Sequence, residues 1–343
     1  MKVLLNTLYV TTPDAYLSLD GENVVVHIKE TETGRFPIHN LENIVTFGWQ
    51  GASPALMRHT CELGKGLAFF SSGGRFLCRV EGEERGNVLL RREQYRIADD
   101  EKRSLPIAIN MIGAKTANAR TVLNRFLRDH PLSIDGNEIT AVADHLRSSL
   151  PDIRNAMDTD TLRGLEGVNA SQYFSVFDNM ILQNKADFHF ENRDRRPPCD
   201  PVNAILSFGY SIFANECASA LQSVGLDPYV GFIHTDRPGR KSLALDVMEE
   251  FRSVMCDRFA LSLINLRQLK ITDFIVKENG AVLLSDDARK TFIKAWQERK
   301  KDIVVHPFLG EKCPWGILPF IQAQLLARYI RGDLDDYPPY LWR

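Results

Sequence analysis

The chain has 343 residues, 44% of them hydrophobic and 25% charged, with a formal net charge of −2. That length allows two domains and a large core, and the composition is that of an ordinary soluble protein. The near-zero charge excludes a global polycation, so nucleic-acid contacts would have to come from local basic patches, and no apolar run approaches the roughly 18 residues that span a bilayer.

The opening residues, MKVLLNTLYVTTPDAYLSLD, meet polar residues and Pro13 too soon for a signal peptide and read as a strand. Further short runs rich in β-branched or aromatic residues follow at 16–19, 24–28, 35–38, 43–49 and 67–70, punctuated by Pro13-Asp14, Asp20-Gly21 and Thr33-Gly34. A short helix over 53–63 ends at Gly64. The Ser71-Ser72-Gly73-Gly74 turn leads to a last strand at 75–80. Residues 1–85 thus read as a small β-sandwich-like domain. Residues 86–104 belong to a strongly charged stretch that reads as a linker or solvated helix, with Arg85, Arg91, Arg92 and Arg96 giving a basic side.

Residues 105–343 read as a larger, mainly α-helical domain, which makes the fold class α+β with two domains. Helical spacing is predicted over 107–127, 137–150 and 152–162. Asp200-Pro201 caps a helix that stops at Gly225 and is apolar nearly all round, as a core helix is. Glu278-Asn279-Gly280 predicts a hairpin between 271–276 and 281–284. Ser285 caps a helix to 301, and another runs over 317–330. The proline- and aromatic-rich tail, 333–343, is expected to be less ordered. The six cysteines, Cys61, Cys78, Cys199, Cys217, Cys256 and Cys313, form no CxxC pair and no zinc spacing, as in a reduced cytoplasmic protein.

The segment GFIHTDRPGRKSLALDVMEEFR combines a histidine with an acidic helix. Pro238-Gly239 marks a turn, and Ser242 is the predicted cap of a helix from Leu243. At about 100° per residue, Leu243, Val247, Phe251 and Val254 share a face, and Asp246 and Glu249 lie together roughly opposite it. Glu250 falls on the other flank and reads as a bystander. Carboxylates with one histidine suit a hard divalent cation working on phosphate oxygens. Arg237, Arg240 and Lys241 lie where a phosphate-bearing substrate would need them; Arg193, Arg195 and Arg196 form a second basic cluster. On spacing alone, acids on a helix's polar face are as well explained by solvation. A catalytic metal also needs a ligand from a distant segment, and Glu166, in RGLEGVNASQYF, is the candidate. Gly164 and Gly167 flank it, Asn169 and Tyr173 follow on its face, and an ordinary first-turn acid is the alternative.

Glu166-Gly167 with Tyr173-Phe174, followed by the GFIH and D-x-x-E elements, resembles the paired signatures of the CRISPR-associated Cas1 family, with a flavour similar to subtype I-C. The block PCDPVNAILSFGY and the order of β-domain, linker and helical domain are similar to that family as well. The resemblance implies that Glu166, His234 and Glu249 are metal ligands and that Asp246 is a further acidic residue needed for activity, in an outer shell or at a second metal. Val168-Asn169 departs from the usual small residues and leaves the DNA contacts of that helix open. The implied activity is CRISPR adaptation: Mg2+- or Mn2+-dependent strand transfer, in which a 3′-hydroxyl attacks a phosphodiester at the edge of a repeat, with DNA endonuclease activity when water attacks. The implied partners are double-stranded DNA (prespacer and CRISPR repeat), a second copy in a homodimer built through the β-domain, and a Cas2 dimer within a heterohexamer; no membrane is involved. Arg237, Arg240, Lys241 and Tyr173 are the candidate DNA contacts. Two other classes remain open: a general metal-dependent nuclease, and a DNA-binding scaffold with a vestigial site.

Overall fold

The computed structural model describes residues 7–12, 14–71, 76–82, 87–131, 136–194 and 197–342. The expected turn at Ser72, Gly73 and Gly74, the start of its strand at Arg75, residues 3–6 of the first strand, and Arg85, Arg195 and Arg196 lie outside them. The chain divides into two compact units. One joins the N-terminal residues to Gly86 with Leu283–Ile303 and Cys313–Ile317; the other comprises Asn87–Val282, Val304–Lys312 and Leu318–Arg343.

The first unit opens with β1 (Thr7–Val10), β2 (Ala15–Asp20), β3 (Asn23–Ile28), β4 (Thr31–Pro37), β5 (Asn43–Phe47), α1 (Pro54–Glu62), β6 (Gly66–Phe70) and β7 (Phe76–Val80). β2, β3 and β4 form an antiparallel meander, and Gly21, at φ +55°, makes its first turn between Asp20 and Asn23. The other sheet runs β1-β5-β6-β7, parallel except for the β6–β7 pair. Period-two alternation puts Ala15 and Leu17 of β2, and Val24 and Val26 of β3, into one apolar cluster with Val10, Ile44, Leu67 and Phe69 of the second sheet and Leu56 of α1. Two sheets burying one shared core is the sandwich-like arrangement expected. Ser53 caps α1, its Oγ accepting the Leu56 N–H at 3.2 Å, with Pro54 at the first helical position.

In the second unit the charged stretch is no linker. It is α2 (Val88–Ala98), whose Leu90, Gln94 and Ile97 are buried. The Gln94 amide donates to the Asp227 and Val230 carbonyls, both at 2.8 Å, which fastens α2 to the loop ahead of the histidine segment. α3 (Glu101–Asp129) is the long central helix, followed by α4 (Asn137–Ser148), α5 (Leu150–Arg154) and α6 (Thr159–Ser175). The helix predicted over 152–162 is thus two helices. Asp158 caps the second, accepting the Thr161 N–H at 2.7 Å, and Glu101 of α3 accepts the Thr159 N–H at 2.8 Å. The core helix α7 (Pro201–Ser223) begins as predicted, Asp200 accepting the Asn203 N–H at 2.7 Å. α8 (Ser242–Phe251) continues through a π-helical turn, Arg252–Asp257, into α9 (Arg258–Asn265). In chain order, β8 (Phe274–Val276) and β9 (Val282–Leu284) make the predicted hairpin, α10 (Asp286–Lys301) belongs to the first unit, and the pair β10 (Ile303–Val305) and β11 (Lys312–Pro314), then α11 (Leu318–Ile330) of the second unit, complete the order.

The tail is packed rather than loose. Tyr337 and Tyr340 are at most 1% exposed, and the Trp342 ring lies under the guanidinium groups of Arg125 and Arg258. Its anchor is Glu250. Fully buried, this carboxylate accepts from Tyr337 Oη, from Gln322 Nε2 at 2.9 Å and from the Tyr340 N–H at 2.7 Å. Burial raises Glu250 to about 7 against the pull of these three donors. No helix among the described residues is long and apolar enough to cross a membrane.

Candidate active site

Every residue of the candidate site lies in the second unit. α3 packs against both α6 and α8, and each contributes one charged side chain to a common point. The Lys115 ammonium of α3 donates to Glu166 Oε1 of α6 and lies 2.7 Å from Glu249 Oε2 of α8. Lys115 and Glu249 are largely shielded, their side chains 13% and 7% exposed, while Glu166 is 29% exposed and opens the site to solvent. Arg252 Nη1 stands 3.2 and 3.3 Å from the two Glu249 oxygens. Its guanidinium is pinned over the rings of Tyr210, at 4.5 Å, and Phe174, at 5.8 Å. Burial works to raise Glu249, but the Lys115 and Arg252 charges outweigh it and hold the carboxyl well below the usual range.

His234 stands on the loop before α8, the same loop that carries Phe232 and Ile233. Asp246 sets its geometry. This fully buried carboxylate accepts the Phe232 and Ile233 N–H groups on Oδ2, at 2.6 and 3.0 Å, and the His234 N–H on Oδ1 at 3.1 Å. His234 Nδ1 lies 2.6 Å from Oδ1. A carboxylate only accepts, so Nδ1 carries a proton, and in the neutral imidazole Nε2 is then the nitrogen with a lone pair. Gly231 makes the wrap possible: a Cβ there would stand 2.6 Å from Asp246 Oδ2 and 2.9 Å from the Ser242 carbonyl carbon. Arg163, one turn before Glu166, donates to the Ile233 carbonyl at 2.9 and 2.7 Å and so ties α6 to this loop.

The arrangement sorts the residues singled out in the sequence. Glu166 and Glu249 meet around one cation, and His234 is held on the adjoining loop. Among the described residues no three His, Cys, Asp or Glu side chains already close on one point; an ammonium stands between the two carboxylates. Two carboxylates gathered around a cation, with an imidazole on the loop ahead of α8 held at one nitrogen by a buried acid, form a donor set that suits a hard divalent ion. Asp246 is committed to backbone and imidazole, so it positions His234 rather than facing a metal. Ser242 is not the cap but the first residue of α8, its hydroxyl donating back to the Thr235 carbonyl at 3.3 Å. Tyr173 cannot serve as a DNA contact: it is 4% exposed, its ring packed against Phe174 and Phe177 at 5.3 and 6.2 Å. Arg237 is exposed on the turn that Gly239 completes at φ +75°. Arg240 and Lys241 are half-buried, with Lys241 Nζ 3.3 Å from Asn215 Oδ1. Arg193 is engaged with Asn203 and Ser207 of α7. Sequence reasoning missed Lys115 and Arg163. The available signal was a lysine on the arc of α3 where Met111, Ile112, Thr116 and Ala119 are buried.

The family model for CRISPR associated protein Cas1 matches residues 8–298. The CRISPR-associated endonuclease Cas1 1 of Chlorobaculum tepidum is 49% identical over 343 residues, covering all of both chains. Among solved structures, a casposase bound to integration product superposes with a TM-score of 0.84 at 24% identity, over 99% of this chain and 95% of that one. A Cas6-RT-Cas1–Cas2 complex gives 0.82 at 23% identity, over all of this chain and 36% of the longer one. With a family model spanning most of its length and a full-length relative near half identity, the chain belongs to the CRISPR-associated Cas1 family.

Proposed function

We propose that this protein is the integrase subunit of CRISPR adaptation, joining the 3′-hydroxyl of a short DNA fragment to a phosphodiester at the edge of a repeat and acting as a DNA endonuclease when water is the nucleophile. The observation that carries this reading is the gathering of Glu166 and Glu249, from two helices, around one cation. Glu166, Glu249 and His234 Nε2 are the residues that would hold Mg2+ or Mn2+. When bound, such an ion supplies neutralisation of charge on the reacting phosphate and a lowered pKa for the attacking hydroxyl.

The chain's own groups do the positioning. Asp246 holds a proton on His234 Nδ1, so that Nε2 of the neutral imidazole would be the nitrogen offered to the ion. Arg163 holds the loop that carries His234 against α6, and Arg252 fixes the orientation of Glu249. Arg237, Arg240 and Lys241, on the turn ahead of α8, are assigned to DNA phosphates. The neighbour described as a Cas1–Cas2 complex, and family membership itself, support a Cas2 dimer as partner. A homodimer built through the β-unit, with double-stranded prespacer and repeat DNA as substrates in the cytoplasm, completes the proposal.

The test is an integration assay with the cognate Cas2 protein, a repeat-bearing plasmid and Mg2+ or Mn2+. Wild type should join the fragment to the repeat, and His234→Ala and Glu166→Gln should each lose at least about 100-fold. Cutting without joining would assign a plain nuclease instead. Joining by His234→Ala at the wild-type rate would refute the site.

A further inference from the structure

We propose that Lys115 is the resident counter-cation of this site: its ammonium holds Glu166 and Glu249 together until a divalent cation takes its place, so that metal binding here is an exchange of cations. This rests on the reading above that the two glutamates are metal ligands.

Three observations carry it. First, a largely shielded ammonium needs compensating charge, and the two carboxylates Lys115 touches come from different helices. It is therefore the bond between α6 and α8 at this point, and the place it fills is the one an oxygen-ligated cation would fill. Second, Lys115 is the cation that Glu166 and Glu249 share, while Arg252 faces Asp257 as well as Glu249, so a dication that releases Lys115 meets a set of net negative charge, whereas one entering beside the ammonium is opposed by it. Third, the two positive groups differ in freedom. Arg252 is clamped over two aromatic rings. Lys115 is a point charge on a flexible four-carbon stem, and it borders a cavity lined also by Thr116, Asn169 and Ser253. The Ser253 hydroxyl is buried and has no hydrogen-bond partner among the described residues. An ammonium leaving the carboxylates would have this cavity beside it, with Ser253 and Asp257 in its lining.

The experiment is Mn2+ titration of the full chain, without DNA, by calorimetry, with circular dichroism and thermal melting alongside. Lys115→Met should bind Mn2+ about tenfold more tightly than wild type, since no ion pair has to be broken first. Its melting temperature in chelator should be lower than wild type and its rise on adding Mn2+ larger. Lys115→Arg, which keeps the charge in a bulkier fork, should bind no more tightly than wild type. Equal or weaker Mn2+ binding by folded Lys115→Met overturns the proposal. Should that variant not fold in chelator, Lys115→Gln reads the same affinity; failure of both to refold in excess Mn2+ also overturns it, because the ion must be able to replace the ammonium. Glu166→Gln and His234→Ala separate the two levels of inference. If neither weakens Mn2+ binding, the metal-site reading itself fails. If both weaken it while Lys115→Met gains nothing, the exchange alone fails.

Discussion

Asp246→Asn keeps the shape of the side chain and removes half of its accepting capacity. The carboxylate takes four donors: the N–H groups of Phe232 and Ile233 on one oxygen, and the N–H and Nδ1 of His234 on the other. An asparagine offers one oxygen and one NH2, so whichever way it turns, two donors face another donor. Asp246 is fully buried, and water cannot make up the loss. Each unmatched donor costs roughly 1–3 kcal/mol, and the loss of charge-assisted bonds moves the total toward the upper half, about 3–5 kcal/mol. For a unit of this size that lowers the melting temperature by about 10 °C. The asparagine amide also no longer demands a proton on His234 Nδ1, so Mn2+ affinity should fall about 10- to 100-fold, as it does when a ligand's supporting acid is removed. Scanning calorimetry and Mn2+ titration read the two effects. A variant melting within about 2 °C of wild type would mean that Asp246 is not the acceptor at the centre of this loop.

Other outcomes follow from the same contacts. Gly231→Ala inserts a Cβ 2.6 Å from Asp246 Oδ2 and should destabilise by about 1–3 kcal/mol in urea unfolding, with His234 displaced and strand transfer reduced; an unchanged midpoint would mean that the loop yields freely. Tyr337→Phe removes one donor from buried Glu250 and should cost about 1–3 kcal/mol, with the tail after Gly332 becoming sensitive to limited proteolysis. Glu249 is held below the ordinary carboxylate range when folded, so it contributes stability above its unfolded pKa, and that contribution is lost as pH falls below about 4.5. Melting temperature measured between pH 6 and 3, taken as a range of about three units, should therefore drop more steeply for wild type than for Glu249→Gln.

What could be read from the sequence was whatever local chemistry decides. The alternating strands, Gly21 and Gly239 at their turns, Asp200-Pro201 at the start of α7 and Ser285 at the start of α10 each satisfy backbone groups within a few residues. Where long-range partners decide, local signals mislead. Asp152 falls inside the first turn of α5, while Asp158 caps α6, where Glu101 of α3 also takes the adjoining Thr159 N–H. The tail carries the prolines of a loose end, yet Tyr337, Tyr340 and Trp342 find Glu250, Asn118 and the arginines of α3 and α9.

The candidate site divides the same way. His234 and Asp246 are close in sequence, and both stood out there as chemistry-bearing residues, but only the fold shows that the acid serves the histidine's other nitrogen. Glu166 meets Glu249 because α3 packs against both α6 and α8. No spacing along the chain encodes that packing, and resemblance to a family had to supply the pairing. A packing of this kind does leave one local mark. An ammonium among buried apolar positions of a helix has to be answered by acids from elsewhere, since isolated burial of the charge is prohibitive. Lys115 on the inner arc of α3 is such a mark, and its position alone demands a carboxylate partner.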